Sequence, residues 1–201
     1  MPGAGIACRP RARGDQAPSP FREVDPARQD GDDGKGTGVT DIVFDGWRPG
    51  AIAQTLALHM EYYAPAWGFG LRFESKLAAE MGEFHGRFEP ARDLFLGAWA
   101  PDGALLATIS VDGIDARSEG AHLRWFVAAA RARGHGLGGT LMRRVDAFLD
   151  DRGYARAYLT TFAGLDAARA LYDRHGYALV AEEKADPWSG TVGLQRLERR
   201  R

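Results

Sequence analysis

The sequence predicts one globular domain of the α/β (α+β) class, in which a sheet of six or seven strands carries about four helices. Three observations indicate this fold. The middle of the chain alternates strand-like runs with tight turns, helical and strand-like segments alternate after it, and 201 residues that are 45% hydrophobic suffice for one sizeable core. Because consecutive strands joined by short turns pair antiparallel, we expect a mostly antiparallel sheet.

The first 38 residues differ in composition from the rest of the chain. They are rich in Gly, Pro, Asp and Arg and contain few large aliphatic side chains. Such a segment cannot bury enough apolar surface to offset the entropy lost on ordering, and its acidic residues argue against a transit peptide. We therefore expect residues 1–38 to be a disordered tail or an over-extended start, and residues 39–201 to form the domain.

A short strand at residues 41–44 precedes two predicted helices. The first helix covers residues 49–63, because its apolar side chains recur every three or four positions, and Pro65 with the glycines after it is expected to break it. The second covers residues 73–88, where apolar residues again occupy one face, and Pro90 ends it. Both helices therefore have one face to bury.

Three strands are predicted next. Residues 93–99 and 105–111 are rich in β-forming side chains and are joined by a Pro-Asp-Gly turn at 101–103, which is typical of a hairpin. Residues 121–127 form a third strand after a polar loop. We interpret the three strands as an antiparallel meander.

The rest of the chain alternates between helix and strand. An apolar stripe predicts a helix over residues 136–152, and Gly153 stops it. The elements predicted after it are a strand at 154–162, a helix at 166–175 and strands at 177–183 and 191–197. We expect the three arginines that end the chain to be a solvated tail.

Composition excludes several classes of function. A formal net charge of -1 gives no general attraction to nucleic acid or to anionic lipid. No apolar run approaches the roughly 20 residues needed to span a bilayer, and the start lacks the apolar core of a secretory signal, so we expect a cytoplasmic protein. The lone Cys8 can neither close an internal disulfide nor supply a metal cluster.

A glycine-rich loop precedes the helix predicted at residues 136–152. Glycines leave backbone amides bare, and at a helix N-terminus those amides and the helix dipole favour phosphate, so the loop predicts a site for a pyrophosphate-bearing cofactor. Residues 134–139 also satisfy the dinucleotide fingerprint G-x-G-x-x-G, but several strands precede them and residues 159–161 stand where that fold needs an acid. A nucleotide-linked oxidoreductase is therefore a distant alternative.

The same loop carries a second pattern, Arg/Gln-x-x-Gly-x-Gly, in the run Arg133-Gly134-His135-Gly136-Leu137-Gly138. Through this run the sequence resembles the GNAT superfamily of N-acetyltransferases. The order of elements over residues 121–184, including the run Ala168-Arg169-Ala170-Leu171-Tyr172, is similar to the cofactor-binding half of that superfamily. The joint match is much more specific than the glycines alone.

A closer resemblance extends upstream. The runs His59-Met60-Glu61-Tyr62-Tyr63 and Leu123-Arg124-Trp125-Phe126 look like parts of the acetyltransferase domains fused to MarR-type winged-helix regulators. This likeness covers most of residues 40–197, without room for the regulator itself. It implies the GNAT fold: a mixed sheet, splayed where two strands part, with the pantetheine arm of acetyl-CoA inserted into the split.

The resemblance also implies roles for particular residues. Tyr172 occupies the place of a tyrosine that lies near the CoA sulfur and can protonate the leaving thiolate, which makes its hydroxyl the candidate general acid. The residues that it implies for acetyl-CoA are Phe126, Val127, Arg133, Gly134, His135, Gly136, Leu137, Gly138, Gly139 and Thr140.

Two departures from the family pattern concern the chemistry. Leu165 stands where many relatives have an asparagine, and Arg124 stands where some protein-lysine acetyltransferases carry a glutamate base. The candidates for the acceptor side are His59, Tyr63, Glu74 and Arg124. Arg124 either pairs with an acid such as Glu74 or binds a carboxylate of the substrate, because its guanidinium presents a fork of donors.

The resemblance implies an N-acetyltransferase that moves the acetyl group of acetyl-CoA directly to a primary amine of a small molecule or peptide, without a metal. A catalytically silent CoA-binding or sensor domain is the alternative, because both departures weaken the match. We expect no nucleic-acid or membrane partner. The sequence leaves open the acceptor, the general base and the existence of a homodimer.

Overall fold

The computed structural model describes residues 41–200, so the tail predicted for residues 1–38 lies outside the described residues. The strands are β1 Val43–Asp45, β2 Leu94–Trp99, β3 Leu105–Asp112, β4 Ala121–Ala128, β5 Arg156–Phe162, β6 Ala178–Glu183 and β7 Leu194–Arg200. The helices are α1 Ala51–Trp67, α2 Leu71–Gly86, α3 Leu137–Asp151 and α4 Asp166–Arg174, with a 3₁₀ turn at Ala130–Ala132. None of these helices is long and apolar enough to cross a membrane.

The seven strands form one sheet in the order β1-β2-β3-β4-β5-β7-β6. Every neighbouring pair is antiparallel except β4 and β5, which run parallel. The predicted fold class, a mixed and mostly antiparallel sheet with four helices, is therefore confirmed. A parallel pair needs a crossover connection, and here the loop after β4 and helix α3 supply it.

The parallel pairing of β4 with β5 is short. It joins Ala121 to Ala157, His122 to Tyr158 and Leu123 to Leu159, and then stops although both strands continue. The two strands therefore part toward their C-terminal ends and leave a gap in the sheet.

A β-bulge marks the point where β4 leaves β5. Thr108 pairs with Val127 and Ser110 with Arg124, so two residues of β4 lie opposite one residue of β3. Trp125, inside the bulge, has a φ of 51°, which is rare for a large side chain. Bulges of this kind bend a strand and redirect its side chains.

Two main groups of buried side chains hold the helices on the sheet. Helix α3 buries an apolar stripe that includes Leu141, Val145 and Leu149 in a cluster with strands β2 to β5 and β7. Helices α1 and α2 enclose a second, largely aromatic cluster with Trp125. Because adjacent residues of a strand point to opposite faces, Leu123 joins the first cluster while its neighbour Arg124 reaches Glu80 of α2.

Helix α1 differs from the sequence prediction, because it continues through Pro65 to Trp67. Proline removes one hydrogen bond from a helix, and here that loss falls in the last turn. The Trp67 ring stacks on Tyr63 at 5.3 Å and lies 5.7 Å from Phe69, and this packing holds the turn. The helix ends at Gly68, whose φ is 69° and whose amide donates to the Ala64 carbonyl.

The last strand also differs from its prediction, because β7 runs from Leu194 to Arg200 and not over residues 191–197. Arg199 pairs with Ala157 of β5, and its guanidinium forms an ion pair with Asp146 of α3. The expectation that Arg199 and Arg200 belong to a solvated tail was therefore wrong. Backbone pairing of Arg199 and Arg200 with β5 offsets the cost of ordering these charged side chains.

We expect Arg199→Ala to lower the free energy of unfolding by about 1–2 kcal/mol, because Asp146 would lose a charged partner in a mostly buried position. The control is Arg200→Ala, whose side chain is 74% exposed, and it should change stability by less than about 0.5 kcal/mol. Urea denaturation of both variants measures the difference. Equal losses would mean that strand pairing alone, and not the link to α3, holds this end of β7.

Candidate functional site

Two cavities meet at the gap between β4 and β5. The loop cavity, of about 610 Å³, is lined by the segment 132–139, the end of β4 and the start of α4. The aromatic cavity, of about 360 Å³, is lined by side chains of α1, α2, β4, β5 and the loop between β6 and β7. The residues that line both cavities are Tyr63, Phe126, Thr161 and Tyr172.

The loop before α3 presents a row of unused backbone donors. Gly134 and Gly136 have φ values of 80° and 74°, and no atom lies within 4 Å of the place where a Cβ would sit on either. Among the described residues, nothing accepts a hydrogen bond from the amides of residues 134–139. Bare amides at the N-terminus of a 15-residue helix form a site for an anion such as a pyrophosphate.

Most of the predicted cofactor residues meet at this cavity. Phe126, Val127, Arg133, Gly134, Gly136, Leu137, Gly138 and Gly139 line it, whereas His135 and Thr140 do not. The His135 ring makes a contact of 2.9 Å with the Arg133 carbonyl through Nδ1. The Thr140 hydroxyl donates a hydrogen bond to the Gly136 carbonyl and accepts one from Arg143. It therefore stabilises the first turn of α3.

The sequence prediction missed other walls of the loop cavity. Residues 164–168, at the N-terminal end of α4, line it together with Tyr62 and Arg174. Leu165 is the N-cap of α4 and gives its amides no side-chain hydrogen bond. A second helix start was predicted here from the sequence, because a helix was expected to begin at Asp166, two residues after Gly164.

The gap itself offers main-chain groups. Beyond Leu123 and Leu159, no described strand pairs with the edges of β4 and β5 that face each other. On their outer sides both strands remain paired, β4 with β3 and β5 with β7. An extended polar ligand inserted here can form the hydrogen bonds that a neighbouring strand would otherwise make.

Tyr172 lies where the two cavities join, and only 6% of it is exposed. Its hydroxyl makes no hydrogen bond with another described residue, and its ring lies 6.0 Å from Phe126. Burial, with smaller effects from Tyr63 and Tyr177, raises its pKa well above the ordinary value. The hydroxyl therefore stays protonated at neutral pH and can donate a proton to a group placed at the junction.

His59 lines the aromatic cavity from α1 and is almost fully buried. Its Nδ1 lies 2.8 Å from the Thr55 carbonyl, so Nδ1–H is the donor and Nε2 keeps its lone pair. Burial lowers the pKa of His59 to about 4, against a smaller opposite effect of the Thr55 carbonyl. The ring is therefore a neutral hydrogen-bond acceptor in the cavity wall.

Tyr63 belongs to the aromatic wall that gives the second cavity its name. Its ring stacks on Trp67 at 5.3 Å and on Phe69 at 5.7 Å, and meets Phe162 edge-on at 5.4 Å. Burial raises its pKa well above the ordinary value. Tyr63 is thus an uncharged part of the wall at the junction of the cavities.

Charged side chains lie at another part of the aromatic cavity. Arg124 Nη2 donates to Glu80 at 2.7 Å, and Nη1 donates to Asp112 at 3.3 Å. Asp112 also receives both arms of Arg87, at 3.1 and 2.6 Å, and Lys76 pairs with Glu80. Of the two roles left open for Arg124, the structure shows pairing with acids.

Those acids do not include Glu74, which is exposed and lines neither cavity. The α2 residues that face the aromatic cavity are Phe73, Lys76, Leu77 and Glu80. They follow the three- and four-residue spacing of one helix face, and position 74 falls outside it. On α2 the structure therefore places Glu80, and not Glu74, at the aromatic cavity.

A carboxylate that the sequence analysis missed shapes one wall of the aromatic cavity. Asp186 is 3% exposed and accepts hydrogen bonds from the amides of Trp188, Ser189, Thr191 and Val192 at 2.6 to 3.1 Å. Burial alone would raise the pKa of Asp186, but these donors hold it well below its usual range. The closed loop presents Trp188 to the cavity.

The buried histidine predicts a pH dependence of stability. The folded-state pKa of His59 lies below that of an exposed histidine, so the unfolded chain binds more protons between about pH 4 and 6.5, and stability falls as the pH is lowered through that range. Between pH 7.5 and 5 this amounts to about 2 kcal/mol. Urea unfolding of the parent and His59→Gln should show a smaller pH dependence in the variant. Identical pH dependence would mean that the His59 ring is accessible to protons in the folded state.

Comparisons with known proteins agree with the fold. The family model described as "Acetyltransferase (GNAT) family" matches residues 52–177. No curated protein is similar enough to match the chain. The closer resemblance to domains fused to MarR-type regulators is not tested by these comparisons and stays a prediction.

Several solved structures are similar in fold. A GCN5-related N-acetyltransferase from Kribbella flavida is 17% identical with a TM-score of 0.62, covering 80% of this chain and 98% of its own. The PaiA N-acetyltransferase from Thermoplasma acidophilum, in complex with coenzyme A, is 16% identical with a TM-score of 0.58, covering 81% and 100%. A point mutant of the spermidine N-acetyltransferase SpeG from Vibrio cholerae is 14% identical with a TM-score of 0.57, covering 79% and 94%. By its matched sequence, the chain belongs to the GNAT family of acetyltransferases.

Proposed function

We propose that the protein transfers the acetyl group of acetyl-CoA directly to a primary amine of a small molecule or peptide, with both substrates bound at once. The observation that carries this proposal is the junction of two cavities at one buried tyrosine hydroxyl. One cavity ends in an anion site and the other is walled by aromatic rings. A donor and an acceptor that enter from the two sides meet at Tyr172.

The loop cavity fits acetyl-CoA. Its bare amides at residues 134–139 would hold the pyrophosphate, because donors and helix dipole converge there. The unpaired edge of β4 at Phe126 and Val127 would bond the pantetheine arm through main-chain groups. Bound in this way, acetyl-CoA supplies an activated acetyl thioester at the end of the arm, beside Tyr172.

The aromatic cavity would hold the acceptor amine. The amine nitrogen forms a bond to the acetyl carbon while the carbon–sulfur bond breaks, and Tyr172 gives its hydroxyl proton to the departing thiolate. His59 Nε2 can orient the attacking amine by accepting a hydrogen bond from it. The surplus proton of the amine passes to solvent, since Arg124 excludes a carboxylate base at its position, and Tyr172 regains a proton from solvent once the products leave.

A catalytically silent CoA-binding domain is the second candidate function. The observation that favours it is the start of α4, where Leu165 leaves the helix without a side-chain cap. Arg124 in place of a carboxylate base points the same way. In that case acetyl-CoA and an amine would both bind, and no acetyl group would be transferred.

We expect Tyr172→Phe to lower kcat by about 10²-fold, because it removes a positioned general acid and keeps the ring. Affinity for acetyl-CoA should barely change, which is the mark of an interaction made in the transition state. The control is Tyr177→Phe, which removes a hydroxyl from a neighbouring buried tyrosine that lines neither cavity. Release of free thiol from acetyl-CoA is the measurement.

The same assay, run over a panel of amines, amino acids and peptides, separates the two candidate functions. Release with at least one acceptor supports the enzyme, whereas acetyl-CoA binding without release for every acceptor supports the silent domain. Parental turnover in Tyr172→Phe would remove the general-acid role. Equal losses in both tyrosine variants would show that the hydroxyls act through packing.

We expect Gly136→Val to weaken acetyl-CoA binding at least about 10-fold, because the side chain would stand between the loop amides and the pyrophosphate. Gly153→Val is the matched control, since Gly153 also has a positive φ, 67°, and free space for a Cβ, but lies past the other end of α3. Both variants should lose a similar stability of about 1–2 kcal/mol. If titration calorimetry gave the two variants the same affinity, the cofactor would have to bind elsewhere.

A further inference from the structure

The aromatic cavity has two chemically different ends. At the end that it shares with the loop cavity lie Tyr63 and Tyr172, both uncharged. Lys76, Glu80 and Arg124 line the aromatic cavity and do not line the loop cavity. A molecule whose amine is at Tyr172 therefore extends its remaining groups toward these charged side chains.

Positive charge exceeds negative charge at that second end. Among the described residues that line the cavity, Glu80 is the only carboxylate, and it is already paired with Arg124 and Lys76. Asp112 lies behind Arg124 and does not line the cavity, and both arms of Arg87 bind it. The lining thus holds two cations and one carboxylate, which leaves donors of Lys76 and Arg124 for an anion.

The pKa of His122 reflects the same positive charges. Burial first, and then the positive charges of Arg124, Arg196 and Lys76, lower its pKa to about 3, against the opposite effect of Asp112. The ring stacks on Tyr158 at 4.3 Å and lines the cavity. Its neutral form adds no negative charge to this end, so Glu80, already paired with Arg124 and Lys76, is the only negative charge among the described lining residues.

The walls between the two ends are flat and aromatic. Phe73 meets Trp188 at 5.6 Å and Phe162 at 6.4 Å, and Trp125 closes another side. Rings arranged in this way favour a planar apolar body between them. The cavity volume of about 360 Å³ lies in the range of small-molecule sites, which run from about 300 to 1,000 Å³.

We infer, on the basis of the proposed function, that the acceptor is a small primary amine with a carboxylate at its far end and a planar aromatic body between the two groups, as in 4-(aminomethyl)benzoate. Its amine lies at Tyr172, its ring lies along the aromatic wall and its carboxylate lies at Lys76 and Arg124. A polyamine is excluded as the preferred acceptor, because its further ammonium groups would meet the cationic end.

Matched pairs of ligands test this inference. The full chain, saturated with CoA, is titrated by calorimetry with the amino acids 4-(aminomethyl)benzoate and 4-(2-aminoethyl)benzoate and with their counterparts benzylamine and phenethylamine, which lack the carboxylate. Spermidine serves as the polycation. We expect each amino acid to bind at least about 10-fold more tightly than its counterpart, because the counterpart lacks only the carboxylate.

A pair of lysine variants localises the effect. Lys76 is 45% exposed at its side chain and can be replaced without opening the core. Lys76→Gln should reduce the preference for the amino acid about 10-fold and leave the affinity for phenethylamine unchanged. Lys184→Gln is the control, because Lys184 is exposed and lines neither cavity, and it should keep the parental preference.

Thiol release from acetyl-CoA, measured with the same ligands, distinguishes a failed inference from a failed function. Preferred binding of the amino acids without release supports the acceptor site and overturns acetyl transfer. Release with phenethylamine or spermidine as the better acceptor supports acetyl transfer and overturns the inference. Failure of every amino acid to bind, or an equal preference in Lys76→Gln and the parent, also overturns it.

Discussion

The short parallel pairing of β4 with β5 is the constraint on which the rest of the structure depends. Because the pair is parallel, the chain must cross over between the two strands, and α3 is that crossover. The crossover begins at the C-terminal end of β4, so the N-terminus of α3 opens beside the gap where the strands part. One topological requirement thus places the anion site next to the unpaired strand edges.

The bulge in β4 extends this arrangement to the aromatic cavity. It allows Trp125 to join the cluster under α1 and α2 while Phe126 lines both cavities. The bulge has an energetic cost, because a tryptophan with a φ of 51° has a strained backbone. Such a conformation persists only when the surrounding residues hold it. Here Phe84, 5.3 Å away, and the Arg124 guanidinium, 4.3 Å above the ring, provide that support.

A chain of ion pairs fixes α2 over the aromatic cavity. Taking charges out of water is expensive unless each has a partner, and Asp112, whose side chain is only 5% exposed, has two arginines. Arg124 connects it to Glu80 of α2, so the helix is tied to the sheet at a defined height. Arg124 and Glu80 orient the helix and also contribute to the charge of the cavity, so a substitution of either one changes both properties.

Local periodicity and turn residues predicted nearly all of the elements, because helix α3 and the β2–β3 hairpin repeat the spacing of the structures they form. The loop at residues 133–138 was predictable for the same reason, since its glycines act on their own backbone. The features that the sequence did not predict depend on contacts between residues that are far apart in the chain. Trp67 holds α1 past Pro65 through ring contacts, and Arg199 joins β7 because Asp146 of α3 receives it. The exchange of Glu74 for Glu80 depends on how α2 is rotated, and no local pattern gives that rotation.

The loop closed by Asp186 has a consequence for how the wall of the aromatic cavity can be changed. Its carboxylate draws its hydrogen bonds from amides within the next six residues, so the loop carries the information for its own shape. The loop also presents Pro187 and Trp188 to the aromatic cavity. Substitutions at positions 187 and 188 can therefore alter the wall of the aromatic cavity while the sheet and the loop at residues 133–138 stay as they are.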